Sequence, residues 1–286
     1  MSLKSFIRKS FKKKRKDFYI SDHKDLIFLE EELSNHKIFG IDTEFDWRTT
    51  YFPKLSLIQI SVDKKLFLID CLKVNPKNIL KKFLEDKKIL KIFHSVRSDA
   101  TVLSKCLSIR TKNTFDIQQA EKLLSNDEIK SYGKIVKSFF GINLEKSETN
   151  SNWLKRPLTD MQIRYALDDV DYLLEVYKYQ KKELIKFNLL EKALSFSKKE
   201  LNLGNESLKK LRLEKNKKKF SFKNREIFLW REDLAEENDV PPAFIFKDKY
   251  LNNLSKIKAK DKFAKKKVMA IIGDTEISEK FISAFL

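Results

Sequence analysis

The stretch Ile38-Phe39-Gly40-Ile41-Asp42-Thr43-Glu44-Phe45 constrains the fold of this chain more than any other. Its apolar, β-branched and aromatic content predicts a buried strand. Residues two apart on a strand share a side, so Asp42 and Glu44 project together. Two carboxylates on one face of an apolar strand repel each other and lose hydration. A hard divalent cation relieves both costs, because oxygen ligands are what Mg²⁺ and Mn²⁺ select. An edge strand with its acids in water would show the same local pattern, so the positions of the other acids decide between the two.

Length and composition leave room for that strand to sit in a real core. The 286 residues can bury one full core and a second, smaller domain, and 42% hydrophobic with 35% charged residues describes a globular chain. No apolar run is long enough to span a bilayer, and the N-terminus lacks the continuous apolar segment of a secretory signal. Lys and Arg number 60 against 41 Asp and Glu, a formal charge of +19, which favours polyanionic partners. Two cysteines, Cys71 and Cys106, and three histidines exclude a disulfide framework and a Cys/His zinc module and fit a reducing, cytoplasmic setting. The first sixteen residues carry eight Lys/Arg and no acid, so residues 1–19 are expected to form a basic arm.

Taken in order, the periodicity predicts a mixed sheet flanked by helices, an α/β architecture. A helix over 21–34 precedes the carboxylate strand, and strands over 55–62 and 66–69 form a hairpin behind Phe52-Pro53. A helix over 78–84 and a strand over 89–93 follow. Asp99 then falls in the first turn of a helix striped by Val96, Ala100, Leu103 and Leu107, where the helix dipole alone would favour an acid. His94, just before it, is expected to be structural. A short strand at 115–117 leads to helices over 118–124 and 132–140. The sharpest local signal is Thr159 with Gln162, a capping box that fixes the start of a helix running to Tyr177. Ile163, Leu167, Val170, Leu174 and Tyr177 form its buried stripe, and Tyr165 and Asp169, four apart, share the neighbouring face.

Together, Asp42-x-Glu44, Asp99 and Tyr165-x-x-x-Asp169 resemble the four-acid-plus-tyrosine pattern of the proofreading-type 3′-to-5′ exonucleases. The segments from Asp42 to Gln59, from Lys146 through Trp153 to Pro157, and from Tyr165 to Leu174 are similar to ribonuclease D, in that family's order. This similarity runs from about residue 20 to residue 184 and implies the ribonuclease H-like exonuclease fold. From Phe222 onward the chain looks like a helicase-and-ribonuclease-D C-terminal (HRDC) domain, a small all-α module known for auxiliary nucleic-acid contacts. The expected division is a basic arm at 1–19, an exonuclease domain at 20–190, a basic linker at 191–221 and the helical domain at 222–286. Ribonucleases D as best known have room for more than one such C-terminal module; here there is room for one.

The resemblance implies two divalent ions, Mg²⁺ or Mn²⁺, held by Asp42, Glu44, Asp99 and Asp169, with Asp42 common to both. Tyr165 would orient or deprotonate the attacking water. It implies substrate contacts from Lys146, Trp153 and Arg156, a Trp being able to stack a base and an Arg to clamp phosphate. The expected activity is 3′-to-5′ trimming of structured RNA, tRNA precursors being the family's usual substrate, with release of nucleoside 5′-monophosphates. A DNA exonuclease and an RNA-binding scaffold with a degenerate site are the alternatives. No membrane, no small-molecule cofactor and a monomeric protein complete the expectation.

Overall fold

The computed structural model describes residues 15–126, 128–145, 147–216 and 220–286. The chain forms two compact units: one takes in the residues up to Asp46 together with Lys54–Asn205, the other Trp47–Pro53 together with Glu206–Leu286.

The first unit is built on six strands, β1 (Lys16–Ile20), β2 (Ile38–Asp46), β3 (Lys54–Val62), β4 (Lys65–Asp70), β5 (Leu90–Phe93) and β6 (Thr114–Asp116). They lie in the order β1-β4-β3-β2-β5-β6. The β2–β3 and β3–β4 pairs are antiparallel, and β1–β4, β2–β5 and β5–β6 are parallel. This is the mixed sheet that the periodicity predicts. Its one strand outside that prediction is β1, which falls inside the expected basic arm: Phe18 stacks on its ladder partner Phe67, with ring centroids 5.1 Å apart. Residues 1–14 of that arm lie outside the described residues.

Strand alternation divides the core between two faces. Phe39, Ile41, Ile58, Ile60, Phe67 and Ile69 face α1 (His23–Ser34), α2 (Lys77–Leu84) and α3 (Arg97–Leu107). Leu57, Leu66, Leu68 and Ile92 pack instead with α4 (Ile117–Leu124), α5 (Tyr132–Phe140), α6 (Asp160–Asp171) and α7 (Leu173–Lys186). The capping box of α6 is present: Thr159 Oγ1 accepts from the Gln162 N–H at 3.1 Å, and Gln162 Oε1 accepts from the Thr159 N–H at 3.0 Å. The helix expected to run on to Tyr177 breaks at Tyr172, whose N–H donates to the Tyr132 hydroxyl at 3.0 Å. No Pro or Gly marks that break; a hydroxyl from forty residues upstream takes the N–H there.

The basic linker expected at 191–221 is corrected. Leu190–Gly204 is a helix, α8, within the first unit, with Ala193, Ser197 and Leu201 buried. Ser197 Oγ accepts the Asp116 N–H at 2.9 Å. Gly204 lies so close to α3 that a Cβ there would stand 2.4 Å from the Arg97 carbonyl oxygen. Charge counting missed this helix because its apolar face is narrow and its outer face is lysine-rich.

The second unit is helical, with α9 (Leu208–Asn216), α10 (Phe222–Glu237), α11 (Pro242–Ile245), α12 (Leu251–Ser255), α13 (Ala264–Ile272) and α14 (Thr275–Phe285). Its core holds Ile227, Phe228, Leu254, Val268 and Phe281, with Trp230 edge-on to Phe281 at 5.5 Å. Tyr51, from the Trp47–Pro53 piece, is fully buried in the same core. Its N–H and that of Phe52 both donate to Asp239 Oδ1 at 3.0 Å.

Candidate active site

Because Ile41 and Thr43 point to one face of β2, Asp42 and Glu44 point to the other, the face under α6. One helical turn separates Tyr165 from Asp169 on α6, so both reach the same place. One carboxylate oxygen each from Asp42, Glu44 and Asp169 lie within 4.8 Å of one another. Asp99 arrives separately, from the first turn of α3, and lies outside that group of three. The Thr43 hydroxyl donates to its Oδ1 at 2.6 Å. The start of α3 is itself fixed by Asp116, whose carboxylate accepts the N–H groups of Ser95 and Val96 at 2.9 and 3.0 Å.

Asp42 and Asp169 border a cleft of about 330 Å³, lined also by His94, Tyr132, Thr149 and Tyr165. Burial pushes the Asp42 carboxyl well above the usual range, and the charges of Asp99, Asp169 and Glu44 add to it. Glu44 is pushed up to about 9, by burial first and then by Asp169 and Asp99. Burial raises Asp99 to about 7 against the Thr43 hydrogen bond, and Asp169 to about 7 with help from Asp168. A cluster of acids this reluctant to ionise is one that a cation would complete, since opposite charge at that distance reverses the shift. The donors are all carboxylate oxygens, which suits a hard divalent ion. The Tyr165 phenol is raised by burial and by Asp169, and its hydroxyl is 3.2 Å from Thr149 Oγ1.

Two of the expected substrate contacts are corrected, and the third, Lys146, lies outside the described residues. Trp153 is 3% exposed and packs beside the Tyr165 ring at 5.9 Å, a core aromatic with no open face for a base. Arg156 spends every N–H internally: Nε and Nη2 on Asp70 at 2.7 Å each, Nη1 on the Trp153 and Lys155 carbonyls, and Nη2 again on Ser56 Oγ at 3.1 Å. No donor is left for phosphate. Conversely, His94 lines the cleft, although its Nε2 lies 3.2 Å from the Lys130 carbonyl oxygen and burial holds its pKa down. Ser131, Leu144, Glu145 and Thr149 also line the cleft and carry no sequence signal. They come from loops and a helix start far from the acids in sequence.

A family model described as 3′-5′ exonuclease matches residues 18–185, the stretch that builds this cleft. The chain belongs to the 3′-5′ exonuclease family. An HRDC domain model matches residues 225–264 of this exonuclease-family chain, within the helical unit. The chain is 32% identical to the Ribonuclease D of Desulfotalea psychrophila over 84% of its own length and 66% of that protein's. It is 31% identical to the Ribonuclease D of Bartonella henselae, over 88% of its own length and 64% of the relative's. It thus spans less than two thirds of the length of these curated relatives. The crystal structure of Escherichia coli RNase D, an exoribonuclease involved in structured RNA processing, superposes with a TM-score of 0.77 at 25% identity, covering 92% of this chain and 74% of that one. These likenesses carry the ribonuclease H-like exonuclease fold to this family member, with the HRDC match falling in its helical unit. No described helix is long and apolar enough to cross a membrane.

Proposed function

We propose that this chain is a metal-dependent 3′-to-5′ exoribonuclease of the cytoplasm that trims structured RNA, tRNA precursors foremost, and releases nucleoside 5′-monophosphates. The observation that carries the reading is the meeting of Asp42, Glu44 and Asp169 oxygens within 4.8 Å, beside a cleft that Tyr165 also lines. The similarity to Ribonuclease D relatives and the surplus of positive charge support RNA as the polymer.

Asp42, Glu44, Asp169 and Asp99 would hold two Mg²⁺ or Mn²⁺ ions. Such ions, when bound, supply charge neutralisation for the attacking and departing oxygens. The rest falls to the chain's own groups. Water attacks the terminal phosphorus, the bond from phosphorus to the 3′ oxygen of the preceding nucleotide breaks, and that oxygen leaves with a proton as the new 3′ hydroxyl. The Tyr165 phenol is kept neutral by burial and by Asp169, so it would orient the attacking water by hydrogen bonding rather than remove its proton. The Thr149 hydroxyl hydrogen-bonds with the phenol oxygen at 3.2 Å. The experiment is a matched pair of RNA and DNA oligonucleotides incubated with Mn²⁺ and then with EDTA. Stepwise shortening of RNA from its 3′ end, abolished by EDTA, is expected; preferential shortening of DNA, or cleavage that survives EDTA, overturns the reading.

A further inference from the structure

Directly opposite Asp42 on the ladder stands Gln59 of β3. Opposed residues of an antiparallel pair share a face, with their Cβ atoms about 4.5–5.5 Å apart, so Gln59 lies under α6 beside the acid cluster. Gln59 is wholly buried, and neither its Nε2 nor its Oε1 has a hydrogen-bond partner among the described residues. Two residues along the same face, the Ser61 hydroxyl is also wholly buried and unpartnered among the described residues. It sits over Gly40, where a Cβ would stand 2.4 Å from Ser61 Oγ. On its other side Gln59 meets Leu68, which offers no polar atom. The nearest acid of β4, Asp70, is already occupied by Arg156 and Tyr19. Three polar atoms buried in one row without partners are costly, and Asp42 is the charged group next to them.

We infer that Ser61 and Gln59 together position the Asp42 carboxylate: the Ser61 hydroxyl donates to Gln59 Oε1, and Gln59 Nε2–H donates to an Asp42 carboxylate oxygen. The inference rests on the reading that Asp42 binds divalent ions. This relay gives each of the three orphaned atoms one partner. A ligand carboxylate held from behind keeps one rotamer and more negative charge, and such supporting contacts set both metal affinity and rate. Gln59 and Ser61 touch neither substrate nor metal in this arrangement and are positioning residues.

The test uses the full chain, stripped of metal with EDTA and dialysed, then titrated calorimetrically with Mn²⁺ as the parent, Gln59→Met, Ser61→Ala and the double variant. Gln59→Met is expected to bind Mn²⁺ about 10- to 100-fold more weakly, while cooperative thermal unfolding in EDTA shows that the variant still folds. Ser61→Ala should lose affinity in the same direction but less, and the double variant should match Gln59→Met alone. Unchanged Mn²⁺ affinity in Gln59→Met overturns the inference, and if that variant does not fold, unchanged affinity in Ser61→Ala does so. A parent that binds no Mn²⁺ overturns it together with the metal reading. RNA cleavage is scored separately: weakened Mn²⁺ binding in a protein whose parent leaves RNA intact would uphold the relay and sink the ribonuclease reading alone.

Discussion

Asp42 carries more of the site's electrostatic strain than its neighbours, since burial and three acids all oppose its ionisation. Asp42→Asn should therefore nearly abolish RNA cleavage while leaving the fold intact. The same substitution exposes the pH behaviour of the metal-free protein. Glu44, Asp99 and Asp169 have folded pKa values of about 9, 7 and 7, above their ordinary values of 4.5, 3.8 and 3.8. The folded state therefore binds the extra protons, and these groups' contribution is full in acid and is lost as pH rises through about 7 and then about 9. In EDTA the thermal midpoint of the parent should fall between pH 5 and pH 8.5 more steeply than that of Asp42→Asn, and Mn²⁺ should flatten the parent's curve. Parallel curves would refute the electrostatic account. For Tyr165, substitution by Phe keeps the ring against Trp153 and removes only the hydroxyl. A fall in rate on the order of 10²-fold, with RNA affinity in EDTA unchanged, is expected; an unaltered rate would make Tyr165 a packing residue only.

At the scale of elements, what was legible was what is local. The carboxylate strand announces itself by alternation, and α6 by a capping box of two residues three apart, so Asp42, Glu44, Tyr165 and Asp169 can be placed on their elements from sequence. Arg156 could not, because the group that captures it, Asp70, is 86 residues away, and nothing near Arg156 in the sequence tells an ion pair from a phosphate clamp. Trp153 failed for the same reason: burial is decided by which helix comes to lie over it. Lys91 shows how far a local reading can stray, since it sits fully buried in β5 at a position that alternation assigns to the core. Its Nζ donates to the carbonyls of Phe83, Asp86 and Ile89 at 3.4, 2.7 and 2.9 Å, capping the end of α2 with a cation where the helix dipole favours one. Burial lowers its pKa to about 7. Lys91→Met would leave three carbonyls without their donor, and a loss of roughly 2–4 kcal/mol is expected, read from the urea midpoint. A shift near zero would mean that the loop after α2 re-forms its own hydrogen bonds.

Over the whole molecule, the +19 formal charge is shared with the helical unit, where Lys258, Lys260, Lys265 and Lys266 are all exposed. If that unit adds backbone contacts to RNA, each neutralised phosphate adds about 0.7 to the salt slope for a single strand. Replacing these four lysines by Gln should weaken RNA binding and lower the slope by up to about 3. Turnover of a short oligonucleotide at saturation should be unchanged, because every metal-ligand candidate lies in the first unit. A salt titration beside saturating rates reads both. An unaltered slope would remove the helical unit from RNA binding.

Substituting those lysines is a cleaner experiment than deleting the unit, and the reason is Tyr51. The chain leaves the ligand strand at Asp46, contributes Trp47–Pro53 to a core otherwise made from its last eighty or so residues, and only then re-enters the sheet at Lys54. A stop codon after Asn205 would strip Tyr51 of its Glu232 partner and of Arg212, which lies 4.5 Å over its ring. The helical unit is therefore not a cassette that can be exchanged at a single junction. A graft from a relative would have to bring a matching Trp47–Pro53 with it, or leave the recipient with a tyrosine-sized hole and an aromatic side chain in water. Lineages that changed one of these two pieces would be under pressure to change the other, so the short connection between two strands of a nuclease sheet should carry the evolutionary record of a domain encoded much further along the same chain.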